Sequence, residues 1–129
     1  MNIKHTPSTV APPFGPYSHA VEVPPNARLL YMSGEVGVLP DGIIPEGIEA
    51  QADASWRNII TILEDAGMSI EDLVKITTYL ASSDCVAAAG TARARYLGDA
   101  RPASATLIIG GFVKSEWLIE IEAVAAKPT

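Results

Sequence analysis

The chain has 129 residues, 48% of them hydrophobic, and a formal net charge of −6. This is one domain's worth of sequence, with enough apolar surface for a single core that needs no staples. Nine scattered basic residues against fifteen acidic ones exclude a nucleic-acid surface, which requires concentrated Lys and Arg.

The N-terminus Met1-Asn2-Ile3-Lys4 has no apolar run behind it, so no signal peptide is expected. No stretch approaches the length of a membrane span. The single cysteine, Cys85, has no internal partner, which fits a reducing compartment. Cytoplasm is the expected location.

Residues 1–16 hold four of the ten prolines and show little periodicity, and they read as an extended arm without regular structure. Tyr17–Val23 alternates loosely and predicts a strand, closed by the turn Pro24-Pro25-Asn26. Arg28–Val36 predicts a second strand. Leu39-Pro40-Asp41-Gly42 is a turn.

A helix is predicted from Pro45-Glu46 onward. Ile48, Ala52, Trp56, Ile59, Ile60 and Leu63 recur at three- and four-residue spacing and make one apolar face, and Gly67 closes the segment. Ser69 with Asp72 resembles a small capping box. Leu73–Leu80 predicts a third strand, with Val74, Ile76, Thr78 and Leu80 on one face. Asp84 is the predicted N-cap of a second helix running to Leu97 and stopping at Gly98. Pro102 bars continuation. Ala105–Ile109 and Trp117–Ala125 are the last predicted strands.

The order ββαβαββ predicts one α/β domain, residues 1–129, built as a mixed sheet with both helices on one face. The other face is left bare. Along the last strand Leu118, Glu120 and Glu122 share a face opposite Ile119, Ile121 and Ala123. A bare face that mixes apolar and acidic side chains predicts an oligomer.

Five stretches then stand out together: Gly15-Pro16-Tyr17-Ser18; Ser33-Gly34-Glu35; Gln51 with Asn58; Arg101-Pro102-Ala103-Ser104; and Glu120-Ile121-Glu122-Ala123-Val124-Ala125. In this order and spacing, from about Gly15 to Ala125, the chain resembles the reactive-intermediate deaminase (Rid) family, also called YjgF or L-PSP. The resemblance implies a chorismate-mutase-like fold packed as a homotrimer, with the sheets forming an inner barrel and a small-molecule cleft at each subunit interface. It implies cofactor-free, metal-free hydrolysis of enamines and imines to ketoacids and ammonia. Endoribonuclease and translation-inhibitor activities are also claimed in the family, and the acidic balance argues against both here.

Imine hydrolysis needs a held substrate, a placed water and proton transfer. In active relatives an arginine two residues after the motif proline grips the substrate carboxylate, a match of geometry and charge. Here that position is Ser104. Three further positions depart from the pattern: Thr106 where some members have cysteine, Gly90 near a helix asparagine of the cleft, and Glu35 in place of glutamine. Ser104, Thr106 and Gly90 remain candidate binding residues, with Tyr17 to close the cleft and Ser33-Gly34 to offer backbone N–H groups.

Glu120 is the candidate to hold or activate water, and Glu35 adds a second carboxylate. If the two share a cleft, one should have a raised pKa. Glu122 stands beside them. Arg101 is a candidate substitute anchor. Arg93 and Arg95, two apart on a helix, point in different directions, leaving one for a cleft and the other for solvent. His19 follows Ser18 in a strand and points to the opposite face, so they form no dyad. No His, Cys or carboxylate spacing suits a metal, and Gly110-Gly111 lacks the helix and lysine of a phosphate loop. Hydrolase or non-catalytic metabolite-binding trimer are the two readings this leaves.

Overall fold

A computed structural model describes all 129 residues. Its elements are β1 (Ile3–His5), β2 (Ala20–Glu22), β3 (Arg28–Val36), α1 (Ile48–Asp65), β4 (Leu73–Leu80), α2 (Val86–Leu97), β5 (Ala103–Ile108) and β6 (Ile119–Lys127). The main sheet has four strands in the order β3-β6-β4-β5. Its β4–β5 pair is parallel and the others are antiparallel, so the sheet is mixed.

Both helices lie on one face of this sheet. Trp56, Ile59 and Leu63 of α1 and Ala89, Ala92 and Leu97 of α2 join Ile76, Leu80, Ile119, Ile121, Ala123 and Ala125 in one core. The three-to-four-residue spacing on α1 and the two-residue spacing on β6 produce this match of helix stripe to strand face. Ile59 and Leu63 are fully buried, each contributing about 1.5–3 kcal/mol. The helix ends as its sequence predicts. Gly67 takes a φ of 72°, the Gly67 N–H donates to the Glu64 carbonyl, and the Met68 N–H donates to the Leu63 carbonyl. These are the two bonds of a Schellman motif.

The N-terminal arm departs from expectation. Ile3–His5 is a strand, paired antiparallel with Ala20–Glu22 in a separate two-stranded sheet. The segment 17–23 therefore gives its strand to this ribbon and joins the main sheet at the single Ser18–Ala103 bridge. A three-residue strand has too few positions to show a period, so its pairing is settled by tertiary contacts. Asp84 is likewise not the cap of α2. Residues Ser83–Cys85 form a 3-10 turn, and α2 begins at Val86 with no side-chain cap. Cys85, the last residue of that turn, is buried in the core.

Two polar side chains on α1 do structural work. Gln51 is buried; its Nε2 donates to the Pro45 and Glu116 carbonyls at 3.1 and 3.0 Å, and its Oε1 accepts from the Leu118 N–H at 2.9 Å. Asn58 Nδ2 donates to the Val38 carbonyl at 3.0 Å. Together they fix the chain leaving β3 and the chain entering β6 to one helix. Gly37 permits this closeness, because a Cβ there would lie 2.5 Å from the Gln51 carbonyl oxygen.

Candidate functional site

A cavity of about 470 Å³ opens between α2, β5 and the arm. Parallel pairing sets Ser104 opposite Ile76 and Thr106 opposite Thr78. Ile76 and Thr78 are buried beneath the helices, so Ser104 and Thr106 face the same way and enter the cavity wall. From α2 come Val86, Ala89, Gly90 and Arg93, a single stripe at i, i+3, i+4 and i+7. Trp56, Ile119 and Ile121 give an apolar floor.

The arm supplies the remaining wall, through Phe14, Gly15 and Tyr17. Ser18 is buried; its Oγ donates to the Arg101 carbonyl at 2.6 Å and its N–H to the Pro102 carbonyl at 3.2 Å. That bridge to the start of β5 sets Tyr17 on the cavity wall. The Tyr17 hydroxyl accepts a bond from the Phe14 N–H at 3.2 Å, which folds the arm back on itself.

Arg93 is the one charged side chain on the cavity wall. Its Nη1 donates to Thr106 Oγ1 at a long 3.4 Å, its Nε is buried without a hydrogen-bond partner, and it belongs to no ion pair. Its neighbour Arg95 is engaged elsewhere, at 3.1 Å from Asp53 and over the Tyr96 ring. Arg101 is also turned away: its Nη1 donates to the Gly98 and Ala100 carbonyls at 2.9 Å, closing the end of α2. Of the arginines weighed from sequence, then, only Arg93 reaches the cavity. The pattern that finds it is the small-residue stripe Val86, Ala89, Gly90, which ends on Arg93 one helical repeat later.

The carboxylates lie elsewhere. Glu120 and Glu122 pair with Tyr79 and Thr77 on the face away from the helices. The bulge between Met32 and Glu35 adds one residue at Ser33-Gly34, and it sets Glu35 opposite Ile121 and Val36 opposite Glu120. Glu120 folds over Gly34 so closely that a Cβ there would lie 2.4 Å from its carboxyl carbon. Glu122 accepts a hydrogen bond from the Tyr79 hydroxyl at 2.5 Å, and this bond raises the tyrosine pKa. Burial, and then the charge of Glu120, raises the Glu35 pKa above its ordinary 4.5.

The protomer thus brings Tyr17, Gly90, Ser104 and Thr106 together, with Arg93. It leaves Ser33, Gly34, Glu35, Glu120 and Glu122 as a second group. From Ser104 on β5 to Glu35 on β3 is three strand spacings, about 14 Å. No three His, Cys, Asp or Glu side chains gather to hold a metal ion, and no helix is long and apolar enough to cross a membrane.

The sequence profile of the family described as Endoribonuclease L-PSP matches residues 8–127. The chain belongs to the Rid family. A RutC family protein of Pyrococcus abyssi is 35% identical over 117 residues, covering 89% of each chain. The 2-iminobutanoate/2-iminopropanoate deaminase of mouse is 31% identical, covering 88% of this chain and 82% of its own. A Rid-family protein of unknown function from Yersinia pestis superposes with a TM-score of 0.85 at 31% identity over 98% of both chains. The match to the Rid fold therefore includes the arm as well as the core.

Proposed function

We propose that this Rid protein is a homotrimer that binds a small polar metabolite between adjoining copies and hydrolyses it in the manner of an imine deaminase. One observation carries this reading. The binding groups and the carboxylates Glu120 and Glu122 occur in one chain but on different sides of its sheet. A neighbouring copy that presents its Glu120 face against the β5 edge would complete the site. The exposed apolar residues fit such packing: Tyr31 is 73% and Leu29 51% exposed on β3, and Ile108 is 55% exposed on β5.

In the proposed reaction, water adds to the iminium carbon while Glu120 of the neighbouring copy accepts its proton. Glu120 then returns that proton to the carbinolamine nitrogen, and the carbinolamine collapses: the C–N bond breaks to expel ammonia, the carbonyl forms, and the hydroxyl proton passes to solvent. No cofactor enters the balance. The mouse relative's name supports the imine class. The net charge of −6 weighs against RNA as substrate despite the name of the matching profile. A second reading, a non-catalytic metabolite-binding trimer, draws on Ser104, which replaces the arginine expected there.

Light scattering should give three times the 13.6 kDa chain mass. The enzyme should also speed ammonia release from 2-iminobutanoate made in situ by an amino-acid oxidase. A stable monomer at micromolar concentration would sink the shared cleft. A trimer that binds 2-oxobutanoate but leaves imine decay at its buffer rate would select the non-catalytic reading.

A further inference from the structure

We propose that Arg93 on α2, and not a residue at the Ser104 position, is the carboxylate anchor of this protein. The proposal rests on the reading of the cavity as half of a ligand cleft for 2-oxo and 2-imino acids, and adds to it the anchor. Four features converge on Arg93. It is the cavity's single charge, and no carboxylate lines that wall. It belongs to no ion pair. Its Nε is buried with no partner, an arrangement that costs free energy until an acceptor arrives. Its Nη2 lies 3.7 Å from where a Cβ on Gly15 would sit, so the arm passes over the guanidinium and helps to fix it.

An arginine with Nε and one Nη free presents the fork that a carboxylate's two oxygens match. Ser104 and Thr106 beside it offer hydroxyls to a 2-oxo or 2-imino group. Beyond them Trp56, Val86 and Ile121 suit an alkyl tail. One cation, with no second cation beside it, suits a monoanion better than phosphate, which in its dianionic form leaves a charge uncompensated in an apolar cavity.

Calorimetric titrations would use 2-oxobutanoate, 4-methyl-2-oxopentanoate, 2-oxobutanamide and inorganic phosphate against the trimer. Both acids should bind, with phosphate failing to compete. Arg93→Gln should weaken acid binding tenfold to a hundredfold, the usual worth of a charged hydrogen bond, and weaken the already poorer amide binding by a much smaller factor. Arg93→Lys, which keeps charge without the fork, should fall between. In the unaltered protein the Arg93 Nε–H resonance should move on titration with 2-oxobutanoate, a readout that needs no variant.

Equal acid binding by wild type and Arg93→Gln, with the resonance unmoved, overturns the anchor and leaves the ligand cleft standing. Phosphate binding tighter than either acid overturns a carboxylate as the group that Arg93 holds. If neither the acids nor the amide bind, the anchor and the cleft reading fail together.

Discussion

The two sides of the β4–β6 region differ in what their charges are doing. Toward the helices, the cavity holds one arginine and several hydroxyls and no acid. On the far side, Glu120 lies over a glycine bulge and Glu122 is held by Tyr79. One side can hold an anion and the other can move a proton, and neither alone can do both. The difference teaches that β-sheet alternation, which sends neighbouring residues of one strand to opposite faces, keeps the two groups apart within one chain, and the proposed trimer is what would bring them together.

The sharpest way to break this comparison is to disable the two sides in different chains. Glu120→Gln removes the proton acceptor and should lower imine hydrolysis about 10²–10⁴-fold, with acid binding little changed. Arg93→Gln should lower acid binding instead. Co-assembled in equal amounts, the two variants would form clefts with both intact halves in about a quarter of cases, if the halves come from different chains. Recovery to that level in ammonia release would establish the shared cleft. No recovery in verified mixed trimers would place both halves within one chain.

A second test moves the cation. Ser104 faces the same cavity as Arg93. Ser104→Arg in an Arg93→Gln background should regain most of the tenfold to hundredfold binding lost, as titration with 2-oxobutanoate would show. Glu35 stands three strand spacings away, about 14 Å, too far to capture the new guanidinium within the same chain. If recovery required an added Glu35→Gln, a neighbouring copy's Glu35 would be reaching the cavity, and the separation of the two sides would hold only for the isolated chain.

The bulge offers a third, smaller effect. Gly34→Ala puts a methyl group where the Glu120 side chain now lies. The side chain can swing aside, so stability should fall by only about 1 kcal/mol. The displaced carboxylate should cost roughly tenfold in hydrolysis, since small misplacements at reacting groups are expensive. Chemical denaturation and ammonia release would separate the two. Gly37→Ala is the control for a stability effect, because its Cβ would meet the Gln51 backbone, which cannot swing away.

What the sequence made legible follows from period length. The eighteen residues of α1 span five turns, and its apolar stripe names the buried side directly. On β6 the alternation Ile119, Ile121, Ala123 marks the core face without ambiguity. On β1, three exposed residues carry no such pattern, and their partner comes from folding the arm back. Arg93 was visible as one of two helix arginines, but choosing between them required the rotation of α2. That rotation is set by Ala89, Ala92 and Leu97 against the sheet, and a helix poor in large apolar residues announces it weakly. Glu35 and Glu120 read as a pair from their nearby motifs, whereas the bulge residue shifts their register. Spacing in sequence does not reveal a bulge with certainty.

The smallest effect belongs to Glu35. Burial comes first and Glu120 second in raising its pKa above the ordinary 4.5. The native protein therefore holds this proton to a higher pH than the unfolded chain does. Between the two pKa values the native state binds more protons, so stability falls as pH rises through that window. Below the unfolded value the carboxyl is neutral in both states and the penalty vanishes. Glu35→Gln removes the charge while keeping the shape, so it should raise Tm slightly at pH 7 and give no advantage below about pH 4. Scans of both proteins across pH 4–7.5 would show the two curves converging on the acid side. The comparison also reads the partner. With Glu120→Gln in place, the gain from Glu35→Gln at pH 7 should shrink without disappearing, because burial persists after the neighbouring charge has gone. An undiminished gain would mean that the two carboxylates do not sense each other, and a gain that vanished would make Glu120, and not burial, the main cause of the shift.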